Sequence, residues 1–527
     1  MKGINVAIAA VVVAICALGW FSMASKTVSE ANQHNAYIEQ ADTWVEEGLY
    51  QRAIGNYKLA LAEEPAAGIY AKTIAAYQAR VEEVADLEEI LKETVAEYTE
   101  FLEEAVAACP QEEEFVRLLG QLYLDDENYT KAYSCLRAAV ANGINSEEVL
   151  AMLRQARYAW NYRGSTYAAV LPPVGTTYTV ARKDMWGIYD VKEGSLFSHE
   201  YVYASQSSAD GVVVLSTTQD SRLVNGEGMV MGIFEKQAAA AGVYAEGLVA
   251  VSFDGNTYSY YNEFAREQFG GYEAAGMFQN GQAAVKQDGV WFLIDTTGKK
   301  VSDDYARIVL GTGGEYMING VMLAAKTDGS YSFYDEKMKV LASFDADEVD
   351  ALTGDGIVAF SRGGKWGFVN KDGAVVVEPR YAMARSFSNG LAAVCEEDKW
   401  GFIDNGGLVA IDFQFADALY FDSQGVCAVR TDVPPMTYEE VIEETLGIPT
   451  EPDTEAVTEP VEEETAPAQT QAPEETVPGE TQPEAAVGTD TETTGETAQE
   501  PVTEAPAEEP VYEEWNLLKL INGIVED

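Results

Sequence analysis

A short register, Trp-Gly followed by two apolar residues and Asp or Asn, recurs through the second half of the chain and restricts it to folds built by repetition. It stands at Trp186-Gly187-Ile188-Tyr189-Asp190 and, with a lysine before it, at Lys365–Asn370 and Lys399–Asp404. Degenerate copies lie at Ser221–Asn225, Tyr258–Asn262, Trp291–Asp295 and Tyr331–Asp335. The step between copies is about 36 residues, the range of solenoids, propellers and arrays. Five of the eight tryptophans, Trp186, Trp291, Trp366, Trp400 and Trp515, hold the same register position.

About ten residues before each copy stands a glycine with a short apolar run, as in Gly390-Leu391-Ala392-Ala393-Val394 and Gly281-Gln282-Ala283-Ala284-Val285. Run, polar turn and Trp register together predict a β-hairpin. The two residues after Trp-Gly are apolar in every copy, from Ile188/Tyr189 to Phe402/Ile403. Neighbouring residues of a strand point to opposite faces, so both faces are covered, as in stacked sheets. Gly187, Gly367 and Gly401 remove a side chain where a neighbouring sheet or ring must approach. Connectors of about 18–24 residues have room for two more short strands, giving the four of a propeller blade. The expectation is an all-β propeller of seven or eight blades, with an open β-solenoid as the alternative, because a ring hides its strand edges.

These residues resemble the WG (KWG) β-repeat family, most fully at Lys365–Val394 and Lys399–Val429. Departures occur where Ser221, Tyr258 and Tyr331 replace Trp, and where Arg222, Ser259, Phe292 and Ser332 replace Gly. The resemblance implies a bacterial surface or periplasmic-type protein.

Ahead of this half, residues 26–163 read as helical. Ala41, Trp44, Gly48, Tyr50, Ala53, Tyr57, Ala60, Leu61 and Pro65 fall at offsets that suit two closely crossing helices. Ala53 and Ala60 are small at the crossing, Trp44 and Tyr57 fill the gaps beside it, and Pro65 stops the second helix. Gly120, Tyr123, Tyr129, Ala132, Leu136 and Ala139 repeat the pattern, and Phe101, Ala105 and Pro110 suggest a stretched copy with an unusually long helix near Asp86–Ala108. Ser146–Tyr162 reads as a capping helix. This half resembles the tetratricopeptide repeat, an α-solenoid, which implies peptide or protein binding in a concave face. A plain spacer is the competing reading.

Ile4–Met23 is apolar except for Asn5 and Ser22, long enough as a helix to span a bilayer. Residues 1–25 are therefore expected to be a single transmembrane anchor, with a cleaved signal segment as the alternative and the bulk of the chain extracytoplasmic. Membrane contact is expected through this helix only. The chain carries a net charge of −53, which repels nucleic acid and excludes it as a partner. Residues 433–514 hold 24 acidic residues and no basic one. The Glu/Thr/Pro-rich stretch 433–511 is expected to be a disordered insertion, with a short helix at Met436–Leu446. After it the Trp register returns at Trp515. The β domain is accordingly read as 165–432 completed by 512–522, with Trp515–Ile521 pairing with Gly425–Arg430.

Reactive chemistry is sparse. His34 and His199 are the only histidines, so neither a Ser–His–Asp set nor histidine metal spacing is available. Asp345, Asp347 and Asp350 lack the glycine of a calcium loop. Gly311-Thr312-Gly313-Gly314 reads as a turn, and Cys109, Cys135, Cys395 and Cys427 as small buried hydrophobes. No catalytic residue, cofactor or metal is expected. The Trp rings suit core packing better than sugar stacking. The functional expectation is a non-catalytic, membrane-tethered scaffold for protein partners at the bacterial cell envelope. A glycan- or cell-wall-binding receptor is the alternative, and a hydrolase in the propeller channel ranks last. Proteolysis within 450–505 is expected to leave the C-terminal fragment bound to the body. Immediate release of that fragment would refute the strand pairing.

Overall fold

The computed structural model describes residues 33–326, 329–431 and 514–524. Seven helices come first: α1 across 33–46, then α2 (Tyr50–Glu63), α3 (Ala67–Glu83), α4 (Glu88–Ala108), α5 (Glu113–Asp125), α6 (Tyr129–Ala141) and α7 (Glu147–Arg157). Short connections pair neighbouring helices. Ala53, Ala60 and Ala132 are fully buried among them. Gly120 has no room for a side chain, since a Cβ there would lie 2.8 Å from Leu136 and 2.9 Å from Met152. α2 ends just before Pro65, whose predecessor Glu64 is extended, as the proline ring demands. At 21 residues, α4 is the longest described helix. The helical pattern expected through Tyr162 stops at Arg157, and Trp160 begins a strand.

The strands form eight antiparallel sheets, seven of four strands and one of three. Each sheet is one blade: a two- or three-residue first strand, two longer middle strands and, in all but the three-stranded blade four, a fourth at the rim. Blades one to seven begin at Ala169, Tyr203, Ala240, Ala274, Arg307, Glu348 and Met383. The eighth begins with Asp417–Ala418 and Val426–Thr431. It is completed by Glu514–Leu520 and, at its rim, by Trp160–Tyr167. Both ends of the β region thus meet in one sheet.

Every seam between blades carries a hydrogen bond, which closes the ring. Thr179 donates to Ser205 O, and Ala241 N donates to the Tyr203 hydroxyl. Gly281 N donates to Glu246, and Met277 N to Gly314 O. Asn319 donates to Gly354 O, Gly390 N to Asp355, and Asn389 to Phe421 O. The last seam is Tyr178 Oη to Val426 O, 2.8 Å. The architecture is an eight-bladed propeller, within the seven or eight blades expected.

The middle strands are apolar on both faces, and Leu248–Ser252 and Val321–Ala325 are buried at every residue. The rim strands are buried only in part: in Val375–Tyr381 only Val377 and Tyr381 are buried. The residue at each Trp position faces an aromatic on the rim strand: Trp186 faces Tyr201, Ser221 faces Phe234, Tyr258 faces Tyr272, and Tyr331 faces Phe344. Trp366 faces Tyr381, Trp400 faces Phe415, and Trp291 bridges to Tyr305.

The glycine after Trp has a different cause from the one expected. What approaches it is the backbone of the rim strand in its own blade, not a neighbouring sheet. A Cβ on Gly187, Gly367 or Gly401 would lie 2.6, 2.5 or 2.8 Å from Phe197 O, Val377 O or Ile411 O. In these three blades the rim strand bulges inward between the pairs Trp366–Tyr381 and Phe368–Val377 and their equivalents. Blades with Arg222 or Ser332 in place of the glycine pair regularly there. In blade three the glycine is on the rim strand instead: Gly270 faces Ser259, and a Cβ on it would overlap that side chain.

The expected membrane anchoring is corrected by this architecture. Among the described residues no helix is long and apolar enough to cross a membrane. Ile4–Met23, on which the extracytoplasmic placement rested, lies outside the described residues, as does the helix expected at Met436–Leu446.

Gly367→Ser should destabilise the protein by about 1–3 kcal/mol, the usual range for overpacking. Deleting Glu378 and Pro379 in the same chain should restore most of that loss, by converting the bulged rim strand into the regular pairing of blades two and five. Urea denaturation of both variants checks this, and a deletion that only worsens the first variant would contradict it.

Candidate functional site

The Trp register is internal. Trp186, Trp291, Trp366 and Trp515 are half-buried and Trp400 is buried, each packed in a hydrophobic cluster. The Asp or Asn that ends each copy is also structural. The Oδ1 atoms of Asn225, Asn262, Asp295, Asp335, Asn370 and Asp404 accept backbone N–H groups two and four residues onward at 2.9–3.1 Å. That is the side-chain-to-backbone closure that Asx turns supply. The repeated signature is therefore taken up by pairing and turn formation.

The helical residues singled out by sequence come together as packing groups. Ala53, Tyr57, Ala60, Tyr123, Ala132 and Ala139 are buried, Trp44 packs against the same core, and Pro65 is exposed. Two tyrosines reach carboxylates at helix boundaries. Tyr57 Oη donates to Asp42 at 2.5 Å and Lys72 completes the group at 2.6 Å. Tyr123 donates to Glu103, which Lys131 also reaches at 3.0 Å. Burial favours a raised Asp42 pKa, but hydrogen bonds from Lys72 and Tyr57 carry it below its ordinary value. Arg117 links Glu114 and Glu148 on α5 and α7. These ion pairs are largely exposed and contribute little stability, but they place paired charges along adjacent helices.

Sequence reasoning missed the axial end of the ring. The loops following the first strands converge there, and Gln206 crosses the axis, donating to Pro172 O at 2.8 Å and Thr312 O at 2.9 Å. A cavity of about 440 Å³ remains beside it, walled by loops of blades one and four to eight. Behind its wall lies a half-buried charge network. Arg385 bonds Asp417 at 2.9 Å and stacks its guanidinium over Trp400 at 5.1 Å. Tyr420 donates to Asp350 at 2.8 Å, and Ser386 N donates to the same carboxylate. Burial and then Asp350 push the Tyr420 hydroxyl well above its ordinary pKa. Asp422 is 3% exposed. Its Oδ1 accepts Gln424 N at 2.8 Å and Val426 N at 2.9 Å, while Oδ2 has no partner. Burial raises its pKa, against the opposing pull of those N–H groups, of Lys519 and of the nearby Tyr178 hydroxyl.

The acids suspected of a calcium loop act as acceptors between loops, with Asp347 taking Gly363 N and Asp350 serving Tyr420. Among the described residues no group of three or more acids, histidines or cysteines is placed to hold a metal ion. The four described cysteines are free, two of them buried. His199 lies in a rim strand, stacked on Tyr167 at 6.0 Å.

The sequence model of a family described as a WG containing repeat matches residues 271–291, 366–400 and 400–432, so these segments of the β half are similar to WG repeats. Among solved structures the chain is similar to BamB from Moraxella catarrhalis, with 12% identity and a TM-score of 0.38 over 52% of this chain and 97% of that one. It is also similar to KlHsv2 with loop 6CD replaced by a Gly-Ser linker, with 8% identity and a TM-score of 0.32 over 51% and 93%. No curated protein matches the sequence.

A raised folded-state pKa means that Asp422 favours the native state below its unfolded value, near 3.8. That advantage is lost as pH rises through the folded value. Asp422→Asn should therefore gain stability relative to the parent as pH goes from 3 to 7. Denaturation midpoints across that range check it, and a constant difference would contradict it.

Proposed function

We propose that this protein is a non-catalytic scaffold that binds protein partners, with helices 33–157 acting as tetratricopeptide-like repeats that receive a peptide segment. The observation that carries the reading is that the repeated residues of both halves serve packing and turn closure. Trp366, Gly367, Asn370 and their equivalents build blades, and Ala53, Tyr57, Ala60 and theirs join helices. A fold whose repeated chemistry is internal has its outer surface left for recognition.

The two halves also support each other. Asn522, just past the last strand, donates to Tyr129 O at 3.3 Å and Ala156 O at 2.8 Å. Ile521 N donates to Ala159 O at 2.9 Å. The helical stack is thereby held to the closing blade at several points, and a partner on the helices meets a fixed platform. The paired charges of Asp42–Lys72 and of Arg117 with Glu114 and Glu148 give that platform polar contacts of both signs, which suits a mixed polar peptide better than a strongly charged one.

Chemical crosslinking of the purified full chain in cell extract, with Lys72→Glu and Arg117→Glu variants beside it, tests the proposal. Crosslinks should concentrate on residues 33–157, and capture of the main partner should fall about tenfold, equivalent to ~1.4 kcal/mol, with melting temperature unchanged. Capture indifferent to both variants, or no reproducible protein partner, would sink it.

A further inference from the structure

The three most exposed large apolar side chains among the described residues stand around one contact. Phe264, Ile233 and Met229 are 59%, 57% and 56% exposed, and Val230 beside them is 48% exposed. Met229, Val230 and Ile233 lie on or beside the rim strand of blade two, Val230–Phe234. Phe264 lies in the turn that follows Tyr258–Asn262 in blade three. Gly232 joins the two, since a Cβ on it would lie 2.5 Å from Ala265 N and 2.6 Å from Phe264 C. The turn of blade three thus rests on the rim strand of blade two, and the four side chains form a patch across that seam.

The other blades show that the fold does not require this patch. Asn262 Oδ1 accepts Phe264 N and Arg266 N at 3.1 Å, which fixes Phe264 two residues into its turn. At the same point the other turns carry Glu227, Thr297, Lys337, Asp372 and Gly406, none with a large apolar side chain. Ile233 faces Arg222, where the other regular blade pairs Ser332 with Ser343. No other phenylalanine among the described residues is exposed. Exposed apolar residues gathered in one place, without an architectural need for them, mark an interaction surface.

The patch is also held in shape. Ala265 packs into the cluster that contains Phe234, Phe253 and Tyr261, whose rings meet edge to face with centroids 5.3–6.0 Å apart. A surface fixed before its partner arrives loses less entropy on binding.

Charge selects the occupant. Glu227 and Glu263 stand in the two turns and Glu235 follows Ile233, all exposed and none in an ion pair among the described residues. Arg266 and Lys236 are the bases nearby in the chain, and Arg222 is already paired with Asp220 at 3.1 Å. The whole chain carries −53, and residues 433–514 hold 24 acidic residues and no basic one. A second copy, that acidic stretch and an anionic lipid surface would each bring like charge to these glutamates. A segment with lysine or arginine beside its apolar residues gains both kinds of contact.

We propose that Met229, Val230, Ile233 and Phe264 form a docking surface for a partner-protein segment whose apolar residues are flanked by lysine or arginine. Phe264 is its central anchor, and the surrounding glutamates meet the flanking cations. The helices across 33–157 take no part in it, so it stands or falls separately from the peptide site on them.

Fluorescence anisotropy of the full chain with a labelled peptide of alternating leucine and lysine tests this, with serine–lysine and leucine–glutamate peptides of equal length as controls. The leucine–lysine peptide should bind saturably at physiological salt, and Phe264→Thr and Ile233→Ser should each weaken it tenfold or more. These substitutions install the residues that blades four and five carry at the same points, Thr297 and Ser343, so the fold is retained. Diffuse attraction to the acidic chain would survive both substitutions and extend to the serine–lysine peptide. No saturable binding, equal binding by both variants, or equal binding of either control peptide would overturn the proposal. So would a dimer of the parent chain that either variant dissolves, or adsorption to phosphatidylglycerol-containing vesicles that either variant abolishes.

Discussion

The β domain depends on one cross-strand pair, Trp515 against Tyr167. It is the eighth copy of the aromatic pair found between the third and rim strands of the other blades, and here the two partners come from opposite ends of the β region. A single blade buries too little surface to offset its own ordering. Only the closed ring lets each sheet cover both faces of its neighbours. Trp160–Tyr167 and Glu514–Leu520 complete the last blade side by side, and the Tyr178–Val426 bond seals it to the first. The same C-terminal segment then reaches the helices through Asn522, so the segment that closes the ring also bonds the helical stack.

The repeats vary in length without changing this pair. From the Trp position to its aromatic partner the chain advances from 221 to 234 and from 331 to 344 in the regular blades, but from 186 to 201, 366 to 381 and 400 to 415 in the bulged ones. Two extra residues need somewhere to go, and the glycine beside Trp provides the space. In blades two and five, where Arg222 and Ser332 replace the glycine, both extra residues are missing; blades three and four, with Ser259 and Phe292 there, carry one, advancing from 258 to 272 and from 291 to 305. Blade eight departs from this pattern, with Asn516 beside a similar bulge.

This is why part of the fold was legible in the sequence and part was not. The Trp register and the apolar run before it mark the two middle strands, which are continuous and buried on both faces. The rim strand carries no such signature, because its bulges break the alternation that would reveal it. A search for an aromatic 13–15 residues past the Trp position would have found it in blades one to seven. The helical half announced its crossings through Ala53, Ala60 and Gly120. Its end was misplaced because Trp160 and Tyr162 continue an apolar pattern that either a helix or a strand can use. The axial cavity was invisible for another reason. Gln206 and Thr312 are 106 residues apart and Tyr178 and Val426 are 248 apart, so the walls exist only once the ring has closed.

Functionally, the same economy of residues separates building from recognition. The repeated aromatics, glycines and Asx turns hold the ring, while the non-repeated residues at the axis and along the helices differ from blade to blade and helix to helix. The central claim is that the two terminal strands belong to the cooperative core. Hydrogen exchange on the intact chain, followed by mass spectrometry in rising denaturant, measures this directly. Residues 160–163 and 514–520 should stay protected as long as 391–396 and lose protection with them in one step. Early exchange of the terminal strands while the other blades remain protected would contradict the account.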